Sequence, residues 1–248
     1  MTDHGSYCPV NLATEVLADR WTPLIVREML LGTTRFNDLV RALPGISRSL
    51  LTQRLRHLER HGVLEAWPSP TGRGSEYHLT AAGKDLERVV DALGRWAIEW
   101  LYDDLQTEEI PPTQLMWWMH RRVDVSRFPP VRTVLEFRFT RPQETIWLLL
   151  ERESASVCIH HPGGDPDVVV SATARTLGQV FQGGRRWHDA VANGDIDVTG
   201  APRLVRSLPT WFTWSPWADV TGERASRGPR PAPVWSEPAS PRLYRGRG

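Results

Sequence analysis

Residues 44–60 read PGISRSLLTQRLRHLER and hold the pattern that decides the fold of the first part of the chain. The dipeptide Pro44-Gly45 predicts a tight turn, because proline presets φ and glycine tolerates a positive φ. Ser47 can then cap a helix by accepting a hydrogen bond from its first turn. Leucines recur three and four residues apart along that helix, so they share one face. The stretch therefore predicts a turn followed by an amphipathic helix whose apolar side is formed by Leu51, Leu55 and Leu58.

The polar side of the same helix is rich in cations and hydrogen-bond donors. Residues 46–60 contain four arginines and one acidic residue, Glu59. Arginine can bridge two acceptors of guanine, glutamine can pair with adenine, and serine or threonine can reach phosphates or bases. The alternative interpretation is a solvated helix face with ordinary surface charges. We predict that this face enters the major groove of DNA through Ser47, Arg48, Ser49, Thr52, Gln53, Arg56 and Arg60.

Two shorter helices are predicted before the turn. Thr22 is placed as the N-cap of the first, with Pro23 as its first residue and an apolar stripe that ends at Gly32. The second runs from Arg35 to Leu43, with apolar residues at i, i+3, i+4 and i+7. A short helix, a turn and a donor-rich helix form the helix-turn-helix unit, which favours the DNA interpretation. Arg35 is therefore a further DNA-binding candidate.

A hairpin and a long helix follow. Residues 63–67 and 76–79 predict two strands joined by a glycine-rich turn with Arg73 at its tip, which is the shape of a wing. Arg73 could enter a narrow minor groove or contact phosphate, while the alternative is an ordinary exposed turn. Thr80 then caps a helix with a wide apolar stripe that predicts contact with a partner. Two-fold pairing would place two reading helices roughly 34 Å apart. The stripe contains Leu86, Val89, Val90, Leu93, Trp96, Ala97 and Trp100.

Seven short motifs in residues 7 to about 102 carry a family resemblance. They are Cys8-Pro9-Val10, Asp19-Arg20-Trp21-Thr22-Pro23-Leu24-Ile25, Arg35-Phe36-Asn37-Asp38-Leu39, Pro44-Gly45-Ile46-Ser47, Leu51-Thr52-Gln53-Arg54-Leu55, Leu58-Glu59 and Tyr77-His78-Leu79-Thr80-Ala81-Ala82-Gly83. In this order they resemble the HxlR-type winged-helix transcriptional regulators. The resemblance implies a dimeric bacterial DNA-binding protein that pairs through the first and last helices of the domain. The proline-rich loop before Gly72 departs from the family pattern and leaves the path of the wing open.

Cys8 occupies the place where some regulators of this family carry a thiol sensor. It precedes Pro9 and lies near a predicted helix start, where the helix dipole would favour the thiolate. The alternative is a small buried apolar residue, which is the commoner role of an unpaired cysteine. A redox role at Cys8 requires that oxidation change the affinity for DNA.

Composition limits where the chain can act. The 248 residues carry a net charge of +1, so any nucleic-acid contact must come from a local patch. The longest apolar run, residues 146–150, is far shorter than the roughly 18 residues of a membrane span. The first ten residues lack the pattern of a secretory signal, and two distant cysteines suit a reducing compartment. These features predict a cytoplasmic protein without membrane contact.

Composition also divides the chain into segments. Residues 1–102 form the predicted winged-helix DNA-binding and dimerisation domain, and residues 103–113 form an acidic linker closed by two prolines. Residues 114–221 form a second domain. Residues 222–248 contain five prolines, four glycines and six arginines, which predicts a disordered basic tail.

The second domain alternates like strands and then changes to helical spacing. Leu135, Phe137 and Phe139 alternate with polar residues, and further strands are predicted at residues 145–151, 156–160 and 168–172. Helical segments and one short strand follow. Strands followed by helices predict an α+β fold, a mainly antiparallel sheet covered by helices.

This order also carries a resemblance to the sterol-carrier-protein lipid-binding fold over residues 112–215. Its motifs are Trp147-Leu148-Leu149, Phe181-Gln182-Gly183-Gly184, Trp187-His188-Asp189-Ala190 and Asn193-Gly194-Asp195-Ile196-Asp197-Val198-Thr199-Gly200. The resemblance implies an apolar tunnel between sheet and helices. Large aromatic side chains could line a pocket for a small apolar effector, or they could fill the core. The pocket candidates are Phe137, Trp147, Phe181, Trp187 and Trp211.

No motif predicts catalysis, and we expect no cofactor. His160 and His161, near Asp165 and Asp167, invite a metal-site interpretation, but adjacent residues of a strand point to opposite faces, so no metal is expected. We predict a dimeric, sequence-specific regulator, expected to repress, with an effector-binding second domain. The alternative is a lipid carrier or partner-binding protein that uses the winged helix only for dimerisation.

Overall fold

The structure is a computed structural model that describes residues 8–69, 74–107, 110–152 and 154–228, without the side chains of residues 103–107. Within these ranges, two clusters of buried apolar side chains define two packed units. One cluster includes Ile25, Leu51 and Leu58, and the other includes Phe137 and Trp211. No helix in the described part of the chain is both long and apolar enough to cross a membrane.

The first unit is a winged helix. Its elements are α1 (Pro9–Leu17), α2 (Trp21–Leu30), α3 (Phe36–Ala42), α4 (Arg48–Arg60), β1 (Leu64–Pro68), β2 (Ser75–Leu79), α5 (Ala81–Asp85) and α6 (Glu87–Thr107). The leucine face of α4 packs inward, with Leu51 and Leu58 fully buried. The strands β1 and β2 pair antiparallel, as the hairpin pattern predicted.

Two predicted details of this unit are wrong. Helix α2 begins at Trp21, and the Asp19 carboxylate accepts the hydrogen bond from the Trp21 backbone N–H at 2.9 Å, so Thr22 is buried instead of acting as the N-cap. The predicted long helix is two helices, because the chain tightens at Leu86, whose N–H bonds the Gly83 carbonyl three residues back. Thr80 still caps the first of them by accepting from the Gly83 N–H.

The predicted linker is largely helical. Helix α6 continues to Thr107 with a kink at Leu101, and α7 (Pro112–His120) begins within the same predicted segment. Proline fits the first turn of a helix, where its missing N–H costs nothing, so the prolines that were expected to end a linker instead open α7. The predicted tail is also helical at its start, because α11 (Ala218–Ser226) covers its first residues. Residues 229–248 lie outside the described residues.

The second unit is α+β, as predicted. Within the described residues its strands are β3 (Thr133–Thr140), β4 (Gln143–Glu151), β5 (Ser154–Cys158), β6 (Val168–Ala172) and β7 (Ile196–Gly200), in the order β5-β4-β3-β6-β7. The β3–β6 pairing is parallel and the others are antiparallel. Its remaining helices are α8 (Ala174–Gln182), α9 (Trp187–Ala192) and α10 (Pro202–Ser207). The likeness to the sterol-carrier-protein fold stays a prediction.

The two units pack against each other through α6 and α2. The Trp217 indole, just before α11, lies over Gly94, where an added Cβ would come 2.6 Å from the ring. Its Nε1 donates to Asp91 on α6 at 3.0 Å. Arg121, after α7, forms an ion pair with Glu28 on α2, whose side chain is only 1% exposed. Aromatic and ionic contacts therefore connect the units.

His120, at the end of α7, makes stability depend on pH. Burial lowers its pKa from 6.5 to about 4, with the neighbouring Arg121 adding to the effect. Between these pH values His120 is protonated in the unfolded chain but neutral in the folded chain. The free energy of unfolding therefore falls as the pH drops from 6.5 toward 4, by at most about 1.4 kcal/mol per pH unit. We expect His120→Gln to reduce this slope in denaturant unfolding at several pH values. An unchanged slope in a folded His120→Gln variant contradicts the prediction.

Candidate nucleic-acid interface

Helix α4 presents its polar face to solvent because its apolar face is anchored. Leu51, Leu55 and Leu58 are at most 2% exposed. Ser47 caps the helix as predicted, since its Oγ accepts from the Leu50 N–H at 3.1 Å. Side chains on the opposite face therefore project outward. Among the predicted reading residues, those that are exposed are Ser47, Arg48, Ser49, Gln53, Arg56 and Arg60.

Internal hydrogen bonds hold several of these donors in place. Thr52 is half-buried, and its Oγ1 donates to the Arg48 carbonyl at 2.9 Å. The Arg48 guanidinium lies 5.1 Å from the centre of the Phe36 ring and donates to Asn37 Oδ1 at 2.7 Å. Sequence reasoning missed Asn37, which is the second residue of α3 and orients an arginine of α4. This contact orders Arg48 at the start of the predicted reading face.

Two arginines of the region form ion pairs. Arg54 pairs with Asp19 at 2.7 Å, so this arginine of α4 ties the helix to the start of α2. Arg35 lies at the start of α3 and pairs with Glu76 of β2 at 3.2 Å while its side chain stays 59% exposed. Arg73 lies outside the described residues. Arg56 and Gln53 are exposed at the centre of the reading face.

The wing carries an exposed aromatic residue that sequence reasoning did not single out. Trp67, on β1, is 53% exposed, and its ring lies 4.5 Å from the His78 ring on β2. Backbone pairing continues to Ser69, whose N–H donates to the Gly74 carbonyl at 3.0 Å. The available signal was a tryptophan at the end of the strand predicted at residues 63–67.

A second surface feature is an apolar groove of about 420 Å³ between α1 and α6. The apolar stripe predicted on the long helix is largely exposed, with Leu93 51%, Trp96 57% and Trp100 58% accessible. Val10 of α1 is 68% exposed on the other wall of the groove. Leu93, Trp96 and Trp100 share one side of α6 by helical spacing. We call this side of α6 together with the groove the α1/α6 face.

The aromatic residues predicted to form a pocket do not surround one cavity. Phe137 and Trp211 are 1% exposed within the core of the second unit, and Trp187 packs against that core. Trp147 follows Ile146, the register partner of Phe137, so it lies on the opposite face of the sheet. Phe181 alone of these five lines the cavity of about 520 Å³ that lies between the two units. The separation follows from strand alternation, which places neighbouring residues on opposite faces.

Cys8 and the histidine pair have ordinary surroundings. Cys8 is exposed and stands at the N-cap of α1, where its side chain makes no capping hydrogen bond. Its redox role stays a prediction. His161 lies 5.3 Å from the Trp147 ring and accepts from the Gly163 N–H. Among the residues that the structure describes, no group of three or more His, Cys, Asp and Glu could hold a metal ion.

A winged helix-turn-helix with an exposed donor-rich second helix defines the class of DNA-binding transcriptional regulators. The chain belongs to the HxlR-like helix-turn-helix family, which matches residues 16–104. An uncharacterized HTH-type transcriptional regulator of Synechocystis is 37% identical over 99 residues, which are 39% of this chain and 73% of that protein. The regulator YvaP of Bacillus subtilis is 38% identical over 101 residues, which are 40% of this chain and 94% of that protein.

Among solved structures, the reduced form of the transcriptional regulator YodB from B. subtilis is 31% identical. The likeness covers 38% of this chain and 95% of that chain, with a TM-score of 0.35. The predicted family of the first unit is confirmed by the family match and the relatives. The protein is a helix-turn-helix transcriptional regulator.

Proposed function

We propose that the protein is a cytoplasmic, dimeric repressor that reads a specific DNA sequence with α4 in the major groove. The observation that carries the proposal is the exposed face of α4, which aims Gln53 and Arg56 outward while leucines anchor the opposite side. Ordered donors at the start of the helix, such as Arg48, support contacts to phosphates or bases. A dimer bound over a promoter would repress by excluding other proteins from that DNA.

Dimerisation is proposed through the α1/α6 face. Surface apolar residues that occur singly are normal, but an apolar groove on the same side of α6 as two exposed tryptophans is typical of an interaction site. A second copy fits this face because a two-fold axis beside α6 would bring the α1/α6 faces of the two copies together. Each copy would then cover the groove of the other with the same side chains. A dimer would present two α4 helices, as reading of two half-sites requires.

The test of the reading surface is substitution at its centre. We expect Gln53→Ala and Arg56→Ala each to weaken binding to the selected DNA site by about 10- to 100-fold, because each removes a contact to a base edge. The measurement is a binding titration at two salt concentrations with DNA obtained by binding-site selection. A loss at Arg56 with a reduced salt dependence would assign this residue to phosphate instead of base.

The matched control is Arg203→Ala, which removes an exposed arginine from α10 of the second unit. It should leave the affinity for DNA within the error of the wild type. If Gln53→Ala and Arg56→Ala both bind as the wild type does, α4 is not the reading helix. That result would favour the carrier function, in which the winged helix serves dimerisation alone.

We further propose that the second unit makes the regulator respond to a small effector. Ligand binding would favour one dimer geometry and so change the distance between the two reading helices. The contact of Trp217 with Gly94 supports such coupling, because it joins the second unit directly to α6.

A further inference from the structure

We propose that the cavity between the two units is a binding site for a small carboxylate with an aromatic or aliphatic body. This inference deepens the effector part of the proposed function by naming a site and a class of ligand. It places the ligand between the units, and it assigns the recognition to arginines that no sequence motif singled out.

The cavity has the size and the walls of a small-molecule site. Its volume of about 520 Å³ falls within the roughly 300–1,000 Å³ of typical ligand pockets. Residues from α2, α6, α7, α8 and α11, and from the segments that follow α7 and precede α11, line it. Large apolar side chains form much of its surface, which favours a ligand with a hydrophobic body. They include Leu30, Leu31, Ile98, Trp118, Phe181 and Trp217.

The charges that line the cavity are unbalanced. Three arginines, Arg27, Arg121 and Arg122, face one carboxylate, Glu28. Glu28 is shared, because both Arg27 and Arg121 form ion pairs with it. Arg121 also donates to the Leu31 carbonyl at 2.9 Å, so its guanidinium is well satisfied. One negative charge therefore serves two arginines, and the third is left over.

We assign recognition of the ligand's carboxylate to Arg122. Its Nε donates to the Trp214 carbonyl at 2.6 Å and its Nη2 to the Thr213 carbonyl at 3.3 Å. Within the described residues it has no carboxylate partner. Burial and the nearby Arg121 lower the pKa of Arg122. A carboxylate suits this position, because guanidinium and carboxylate match in geometry and form strong charge-assisted hydrogen bonds.

The position of the cavity gives the ligand access to the DNA-binding unit. Gly94 and Ile98 of α6 line it, and since a helix turns 100° per residue, Trp96 and Trp100 lie on the opposite face. A ligand that moves α6 by contact with Ile98 or Trp217 would therefore move the α1/α6 face. The cavity also touches the end of α2, which packs against α4. A shift of α6 or α2 on ligand binding could therefore change the position of the reading face of α4.

The experiment uses the full chain and matched ligand pairs. Isothermal titration and thermal unfolding are measured with benzoate, 2-naphthoate and decanoate, each beside its neutral amide. We expect at least one acid to bind and to raise the midpoint of unfolding, and to bind at least about tenfold more tightly than its amide. Arg122→Gln should remove this preference, while Arg122→Lys should retain part of it because it retains the charge. Leu31→Trp should weaken acid and amide alike by filling the cavity.

Three results would overturn the inference. No acid binds at millimolar concentration, or each acid binds no more tightly than its amide, or the preference survives in a folded Arg122→Gln variant. DNA binding by the ligand-free wild type is measured in parallel. If the wild type binds specific DNA and no acid, the cavity inference alone fails. If the wild type binds no specific DNA, the proposed function is refuted, and the acid titration still tests the cavity.

Discussion

Replacing Glu28 with alanine is expected to lower the free energy of unfolding by about 3 kcal/mol or more. Glu28 is 1% exposed and forms ion pairs with Arg27 and Arg121. The Arg121 side chain is only 15% exposed, so loss of the carboxylate would leave its charge without compensation in a poorly hydrated place. The cost of such a change exceeds the value of the ion pair, because desolvation of the remaining cation is no longer offset.

The measurement is denaturant unfolding of the full chain at neutral pH. Glu15→Ala is the control, because Glu15 is an exposed glutamate on α1. It should change stability by less than about 0.5 kcal/mol. Combining Glu28→Ala with Arg121→Met should recover part of the loss, since the stranded charge is then absent. A Glu28→Ala variant as stable as the control would show that this contact between the units carries no net stabilisation.

The helix-turn-helix could be predicted closely because its signals are local. Ser47 caps α4, and the leucine spacing places the helix correctly, since both depend on residues within two turns of each other. The start of α2 was misplaced because Thr22-Pro23 has the residue types of an N-cap followed by a first helical residue. In the structure the helix begins at Trp21, and Thr22 is buried inside it.

The contact between the units could not be predicted by the same reasoning. Glu28 and Arg121 are 93 positions apart, and no periodicity relates them. A glutamate within the apolar stripe of α2 was the one available signal. In the second unit, alternation of apolar and polar residues revealed the strands. It could not show which face of the sheet, that of Phe137 or that of Trp147, other elements would cover. Within the described residues, parts of the segments that were predicted as an acidic linker and a basic tail are helical: residues 103–107 belong to α6, and residues 222–226 belong to α11, which packs against α6.

Helix α6 connects the separate parts of the proposed function. One face carries Gly94 and Ile98 at the cavity, and another carries Leu93 and Trp96 at the α1/α6 face. Because α6 also belongs to the winged helix, a change on either face acts on the same rigid element as DNA binding. Dimerisation, effector binding and DNA affinity should therefore respond together to substitutions in this helix.

Trp96→Glu is expected to convert the dimer to a monomer and to weaken specific DNA binding by on the order of 100-fold. A two-fold interface would contain the new carboxylate twice, and both charges would lose water against an apolar surface. A monomer binds one half-site and loses the effective concentration that links the second binding event to the first. Sedimentation equilibrium and DNA titration of the same preparation measure both effects.

Ile159→Glu is the matched control, because Ile159 is 61% exposed in the second unit and lies outside the groove. If Trp96→Glu remains a dimer, α1 and α6 do not form the interface. If it becomes a monomer with undiminished DNA affinity, two half-sites are not read together.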